Sequence, residues 1–201
     1  MRAVYTERDI TASGELRMAI GSIVTPSARD LARERGVALV EVPPHEAAGI
    51  APPEKTVAIG SDHGGFRMKQ ALLPILAELG LVARDIGVHE EKAVDYPDIA
   101  VQVADLVANG KALRGVIIDG AGIGSSMVAN KVRGVRAALC YDTASARNSR
   151  EHNDANVLTL GGRLITDSQA ETVLRVWLAT SFDGGRHQAR VDKIMQVERR
   201  P

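Results

Sequence analysis

The chain is poor in several things that would have narrowed its function at once. One cysteine, Cys140, stands among 201 residues, so no internal disulfide can form. Charge of one sign is missing too: 25 Lys and Arg balance 25 Asp and Glu, and no whole-molecule field draws in nucleic acid or an anionic membrane surface. Any anion site must therefore be local. Uninterrupted apolar runs of the ~18 residues that cross a bilayer are absent, because Gly, Asp and Arg break every hydrophobic stretch. The opening MRAVYTERDITASG lacks the apolar run of a secretory signal, so a cytoplasmic protein is expected. The histidines, at 45, 63, 89, 152 and 187, show no ligand-like spacing with one another or with Cys140, and no metal is expected.

What is present is 45% apolar and 25% charged, the make-up of one globular domain, and the length leaves roughly fifty residues to spare. The clearest boundary is PPHEAAGIAPPEK, residues 43–55, where two Pro-Pro pairs flank small residues and periodicity is lost. Residues 1–42 before this linker hold a charged helix candidate, SARDLARERG, with Ser27 as N-cap and Gly36 as stop, and a strand-like run, VALVEV. That is too little to form an independent core. From residue 56 to 201, apolar β-rich runs alternate with helical patterns. VAIG, GVIID and VLTL are continuously apolar, as expected of parallel strands covered on both faces. The expected fold is α/β: a Rossmann-like three-layer α/β/α sandwich on a mostly parallel sheet, with a short N-terminal extension.

Ligands in such sheets sit beyond the carboxyl ends of the strands. Four of these ends carry unusual residues: Asp62-His63-Gly64-Gly65, Asp119-Gly120-Ala121-Gly122-Ile123-Gly124, Cys140-Tyr141-Asp142 and Gly161-Gly162-Arg163. The bare backbone N–H groups of the glycine loop, followed by Ser125, Ser126 and a helix, suit an anion. Glycine turns also occur for purely geometric reasons, and the spacing is not that of a dinucleotide fingerprint. Asp119 follows four apolar residues and faces this loop, so it is either a desolvated general base or a turn-forming, helix-capping carboxylate. His152 ends a short polar helix, where an imidazole can exchange a proton with a sugar ring oxygen. Arg186 and Arg190 in GGRHQAR share a helix face as a phosphate clamp or as a solvated basic face. Trp177 and Cys140 read as core.

Taken together, GSDHGGF, DYPD, GAGIGSSMVANK, SREHNDANVLTLGGR and GGRHQAR resemble the type B ribose-5-phosphate isomerase family, which includes galactose-6-phosphate isomerase subunits, over residues 56–201. The resemblance implies a five-stranded Rossmann-like domain, no metal or cofactor, and a homodimer or dimer of dimers with active sites shared between subunits. The activity it implies is aldose–ketose isomerisation of a small sugar phosphate, ribose 5-phosphate to ribulose 5-phosphate, through an enediolate. It further implies that Asp62 and His63 bind the sugar, that Gly120, Ala121, Gly122, Ile123 and Gly124 hold the enediolate, and that His152 opens the ring. Asn153, Arg163, Arg186 and Arg190 would bind the remaining hydroxyls and the phosphate. The family's usual Cys base before the glycine loop is replaced by Asp119, and the Thr after the first glycine by Ala121. A variant subgroup's Glu base, a few residues on, is replaced here by Ser125-Ser126. Asp119 is thus the expected base, and a tetrulose phosphate, a hexose 6-phosphate or a non-catalytic binding role are the alternatives. IVTPSARDLARERGV is similar to short helical segments of bacterial microcompartment enzymes, which implies docking to a shell. A helix packed on its own domain or on a partner subunit is the alternative.

Overall fold

The computed structural model describes residues 4–10, 14–19, 21–42 and 55–198. The chain forms two compact units, Met1–Pro52 and Pro53–Pro201. Apart from Lys55, the expected Pro-rich linker lies outside the described residues.

In the first unit, β1 (Val4–Tyr5) pairs in parallel with β3 (Ile23–Val24), and β2 (Gly14–Ala19) with β4 (Val37–Val42). Helix α1 (Pro26–Glu34) begins two residues earlier than the sequence suggested. Thr25, not Ser27, is its N-cap, accepting from Ala28 N at 3.2 Å, because Pro26 is suited to the first helical position and fixes the start there. Gly36 follows the helix with φ +66°, a left-handed conformation that glycine adopts without strain. The expectation of no independent core is corrected. Tyr5, Ile10, Leu16, Met18, Val24, Ala28, Ala32 and Val37 form a buried cluster of their own, in which Ala28 and Ala32, four residues apart, line one face of α1.

The second unit is built on a five-stranded sheet of β5 (Thr56–Ser61), β6 (Val82–Asp85), β7 (Arg114–Asp119), β8 (Ala137–Leu139) and β9 (Val157–Gly161). Its order is β6-β5-β7-β9-β8 and every pairing is parallel. The helices are α2 (Phe66–Glu78), α3 (Tyr96–Ala108), α4 (Ile123–Ala129), α5 (Thr143–Glu151), α6 (Asp167–Ala179) and α7 (Gln188–Val197). Side chains alternate across the sheet, so Val57, Ile59, Val116 and Ile118 pack with α2 and α6. Ala58, Ile117 and Val157 pack with α3 and α4. These are two cores on opposite faces, and the strands are apolar throughout because both faces are covered. Trp177 and Cys140 lie in the first of them, as expected of core residues. From β5 the chain passes to β6 on one side, and from β6 it crosses back to β7 on the other. The gap between the carboxyl ends of β5 and β7 is therefore the topological switch point, where ligands bind in open α/β sheets.

Candidate active site

Two acidic residues flank that switch point. Asp62 follows the last residue of β5, Asp119 ends β7, and the register pairs Ser61 with Ile118. The neighbouring turns interlock backbone to backbone. A methyl group on Gly65 would collide with the Ile118 carbonyl, and one on Gly161 would lie 2.8 Å from the Ala121 oxygen, so glycine is required at both. Gly162 N donates to Asp119 O at 2.8 Å and Arg163 N to Gly120 O at 3.1 Å, which ties the turn after β9 to the loop after β7. Tyr141 secures the same loop from β8, its hydroxyl donating to Ala121 O at 2.8 Å.

Asp119 is buried beside the glycine loop, but its carboxylate is not free. Oδ1 accepts from Ala121 N at 2.7 Å and from Gly122 N. Oδ2 accepts from Ser125 N at 3.0 Å and from the Ser125 hydroxyl at 2.5 Å. A carboxylate has about four lone-pair positions, and all are filled. In place of the free, desolvated base expected here, the structure has a cap on the first turn of α4, which starts at Ile123. The amides of Ala121 and Gly122, expected to hold an enediolate, are spent on Asp119 for the same reason.

Asp62 differs. Among the described residues its side chain accepts a single hydrogen bond, from Gly65 N at 3.0 Å. A methyl group on Gly64 would sit 3.2 Å from both Asp62 Oδ1 and the Gly120 nitrogen, so that carboxylate and the start of the glycine loop border the same space. Arg163 lies over Gly120, with Cδ 3.8 Å and Nε 4.0 Å from the position of a methyl group there. His63 and Arg163 are exposed, Asp62 buried.

A second cluster forms where α5 ends. His152, the C-cap of α5, stacks on His187 with ring centroids 4.2 Å apart and planes 5° from parallel. Asn148 Nδ2 lies 2.8 Å from His152 Nδ1, and Arg186 Nε donates to His187 Nε2 at 3.2 Å. His187 is buried, and its Nδ1 has no hydrogen-bond partner among the described residues. Burial, with the nearby His152, Arg186 and Arg190 charges, pushes the His187 pKa below the usual imidazole range, and Asp183 opposes this. Behind the cluster, Asp154, with φ +47°, is held by Arg136 at 2.9 Å and Arg150 at 2.7 Å. Arg136 also donates to the carbonyls of Asn153 and Asp154, so the turn that carries exposed Asn153 is fixed in place. Crowding with Arg150 and burial lower the nearby Arg114 to about 10, burial being the larger cause.

The Ribose/Galactose Isomerase family model matches residues 57–194. The chain belongs to this family. It is 42% identical over 146 residues to ribose-5-phosphate isomerase B of Escherichia coli, covering 73% of this chain and 98% of that protein. D-erythrulose-4-phosphate isomerase of Pectobacterium atrosepticum is 38% identical, with 71% of this chain and 95% of that protein covered. The structure of Clostridium thermocellum ribose-5-phosphate isomerase B superposes with a TM-score of 0.71 at 45% identity, over 72% of this chain and 97% of that one. The chain is thus an isomerase with a Rossmann-like α/β domain, and the family match lies within the second unit.

Within this family member, then, Asp62, Asp119, Gly120 to Gly124 and Arg163 converge at the switch point, while His152, Arg186 and His187 form the second cluster. Among the described residues no hydrogen bond or ion pair joins the two. The expectation that Arg186 and Arg190 share one α-helical face is corrected. Gly185–His187 is a 3-10 turn and α7 begins only at Gln188, because Gly184 and Gly185 at φ +63° and +51° break the helical path. The histidine spacing argument also fails. His152, Asp183 and His187 place ligand-type atoms within 4.8 Å of one another although they are far apart in sequence. Parallel stacked rings aim their in-plane lone pairs alongside each other and not at one point, and two arginines stand nearby, so the trio is a poor cation cage. Sequence reasoning missed His187 as a partner of His152. It also missed Tyr96, whose ring lies so close to Gly124 that a methyl group there would come within 2.6 Å of its hydroxyl. The DYPD motif was the available signal for Tyr96. Nothing local pointed to the histidine pair.

Proposed function

We propose that the chain interconverts ribose 5-phosphate and ribulose 5-phosphate through an enediolate, with two copies sharing each active site. The observation that carries this reading is the convergence of two carboxylates, a glycine loop and Arg163 at the switch point of a family domain. Isomerisation needs an acid to open the sugar ring, a base for the C2 proton, donors for the developing oxyanion and cations for the phosphate. His152 supplies the acid, with Asn153 and His63 at the hydroxyls. Arg163, Arg186 and Arg190 supply positive charge for the phosphate dianion. Gly120, Ile123 and Gly124 are the loop amides not engaged by Asp119, and each oxyanion donor of this kind is worth about 3–4 kcal/mol in the barrier.

A shorter substrate is the second reading. It is favoured by the likeness to D-erythrulose-4-phosphate isomerase and by the departures at Asp119 and Ala121. Incubating the protein with ribose 5-phosphate, erythrulose 4-phosphate and a hexose 6-phosphate in heavy water tests both. Exchange of the carbon-bound proton beside the carbonyl, at C2 of an aldose and C1 of a ketose, is expected, fastest with the pentose phosphate. Faster exchange with the tetrulose phosphate replaces the substrate, and binding without exchange of any proton reduces the chain to a binding module.

For the Met1–Pro52 unit, outside the family match, we propose docking to a microcompartment shell through α1 and its neighbours. Ile23 is exposed there, and a small unit on a Pro-rich tether suits a partner surface. Pull-down with shell proteins, full chain against a chain starting at Glu54, is expected to recover only the full chain. Equal recovery contradicts docking.

A further inference from the structure

We propose that Asp62, not Asp119, is the carboxylate that removes and returns the substrate proton. The proposal rests on the isomerase reading above and assigns its missing base.

Three observations carry it. The first is acceptor capacity: Asp119 receives four hydrogen bonds from its own loop, so every lone-pair position is occupied. Among the described residues Asp62 receives one on its side chain, from Gly65 N, which leaves Oδ2 and part of Oδ1 for a proton. The second is charge. Asp62 is 8% exposed and, among the described residues, forms no ion pair, so no fixed cation competes for its lone pairs. The third is what lies opposite. A methyl group on Gly64 would lie 3.2 Å from Asp62 Oδ1 and 3.2 Å from Gly120 N, so the carboxylate and a loop amide that takes no part in holding Asp119 border the same space at Gly64. Arg163 covers the same glycine. A proton acceptor and an uncommitted amide donor therefore border the same gap at the switch point, the pair an enediolate needs.

The step balances without any added oxidant. Asp62 Oδ2 takes the C2 proton of the open-chain aldose, and the C2–H electron pair becomes the C1–C2 double bond. The C1 carbonyl pair moves onto O1, where the Gly120 N–H stabilises it. The proton then returns from Asp62 to C1, the O2 hydroxyl proton passes to O1, and C2 becomes the ketone. C1 is reduced, C2 is oxidised, and the Asp62 carboxylate is regenerated.

Binding of a hydroxyl by Asp62, the role implied by the family resemblance, predicts a different kinetic signature. The test uses the full chain in heavy water with ribose 5-phosphate. Asp62→Asn keeps an oxygen to accept from Gly65 N, and is expected to lose about 10³-fold in kcat and in C2-proton exchange. Its KM and its affinity for inorganic phosphate stay within about threefold of the parent. Asp62→Ala, equally inactive, is expected to regain exchange when formate is added, a rescue that a merely structural role would not show. Exchange in Asp62→Asn within tenfold of the parent, a loss confined to KM, or no rescue by formate overturns the assignment of Asp62. A parent protein that exchanges no proton from any sugar phosphate overturns the isomerase reading itself, so the two failures are distinct.

Discussion

The loop after β7 and the turn at the end of α5 are both rich in polar groups, yet they dispose of them in opposite ways. At Asp119 four donors meet four lone-pair positions, and the loop is closed on itself. At His187 a buried ring nitrogen has no partner among the described residues, and the ring is pressed against a second imidazole and flanked by arginines. A self-satisfied polar cluster holds shape, whereas one with an unmet group and crowded positive charge is built to receive something. The same contrast separates Asp119 from Asp62 within a single strand-end crevice.

The largest effect should come from breaking the closed loop. Asp119→Ala leaves the amides of Ala121, Gly122 and Ser125 without their acceptor, and about 4 kcal/mol of stability should be lost, read by denaturant unfolding. A loss below about 1 kcal/mol would show that the loop holds itself without the carboxylate. Next, His152→Ala should lower kcat/KM about 10²-fold, near 3 kcal/mol in the barrier, with little change in unfolding. If the unfolding midpoint falls instead, the second cluster is structural like the first.

Asp154→Ala removes the acceptor shared by Arg136 and Arg150 at a left-handed position. It should cost about 2 kcal/mol and, through the adjoining Asn153 and His152, a measurable part of the activity. The smallest effect is a pH dependence. The folded-state pKa of His187 is lowered, so the unfolded chain binds a proton that the native one refuses. Its contribution to stability is whole above the ordinary imidazole value of about 6.5 and is lost as pH falls through the lowered folded value. His187→Gln should flatten that part of the stability profile, with His152, Asp183, Arg186 and Arg190 left facing the site.

The sheet was legible because VAIG, GVIID and VLTL are apolar on both faces, and the strand-end residues were legible because topology sends them to one rim. Asp119 was ambiguous for a physical reason: a carboxylate before a glycine turn can cap the next helix or stand free, and only coordinates show which donors reach it. The His152–His187 pair joins residues thirty-five positions apart, which local spacing cannot reveal. The core of the first unit escaped notice because its buried residues come one or two at a time from four short strands and one helix, with Ile10 between them, and form no long periodic run.

The most direct measurement is a crystal structure with an acyclic pentitol 5-phosphate, which mimics the open-chain sugar but cannot isomerise. The account predicts C2 within hydrogen-transfer reach of Asp62, about 3–3.5 Å, with Asp119 still held by Ala121, Gly122 and Ser125. An Asp119 carboxylate released from those donors and turned onto C2, with Asp62 bound only to a distant hydroxyl, would contradict it.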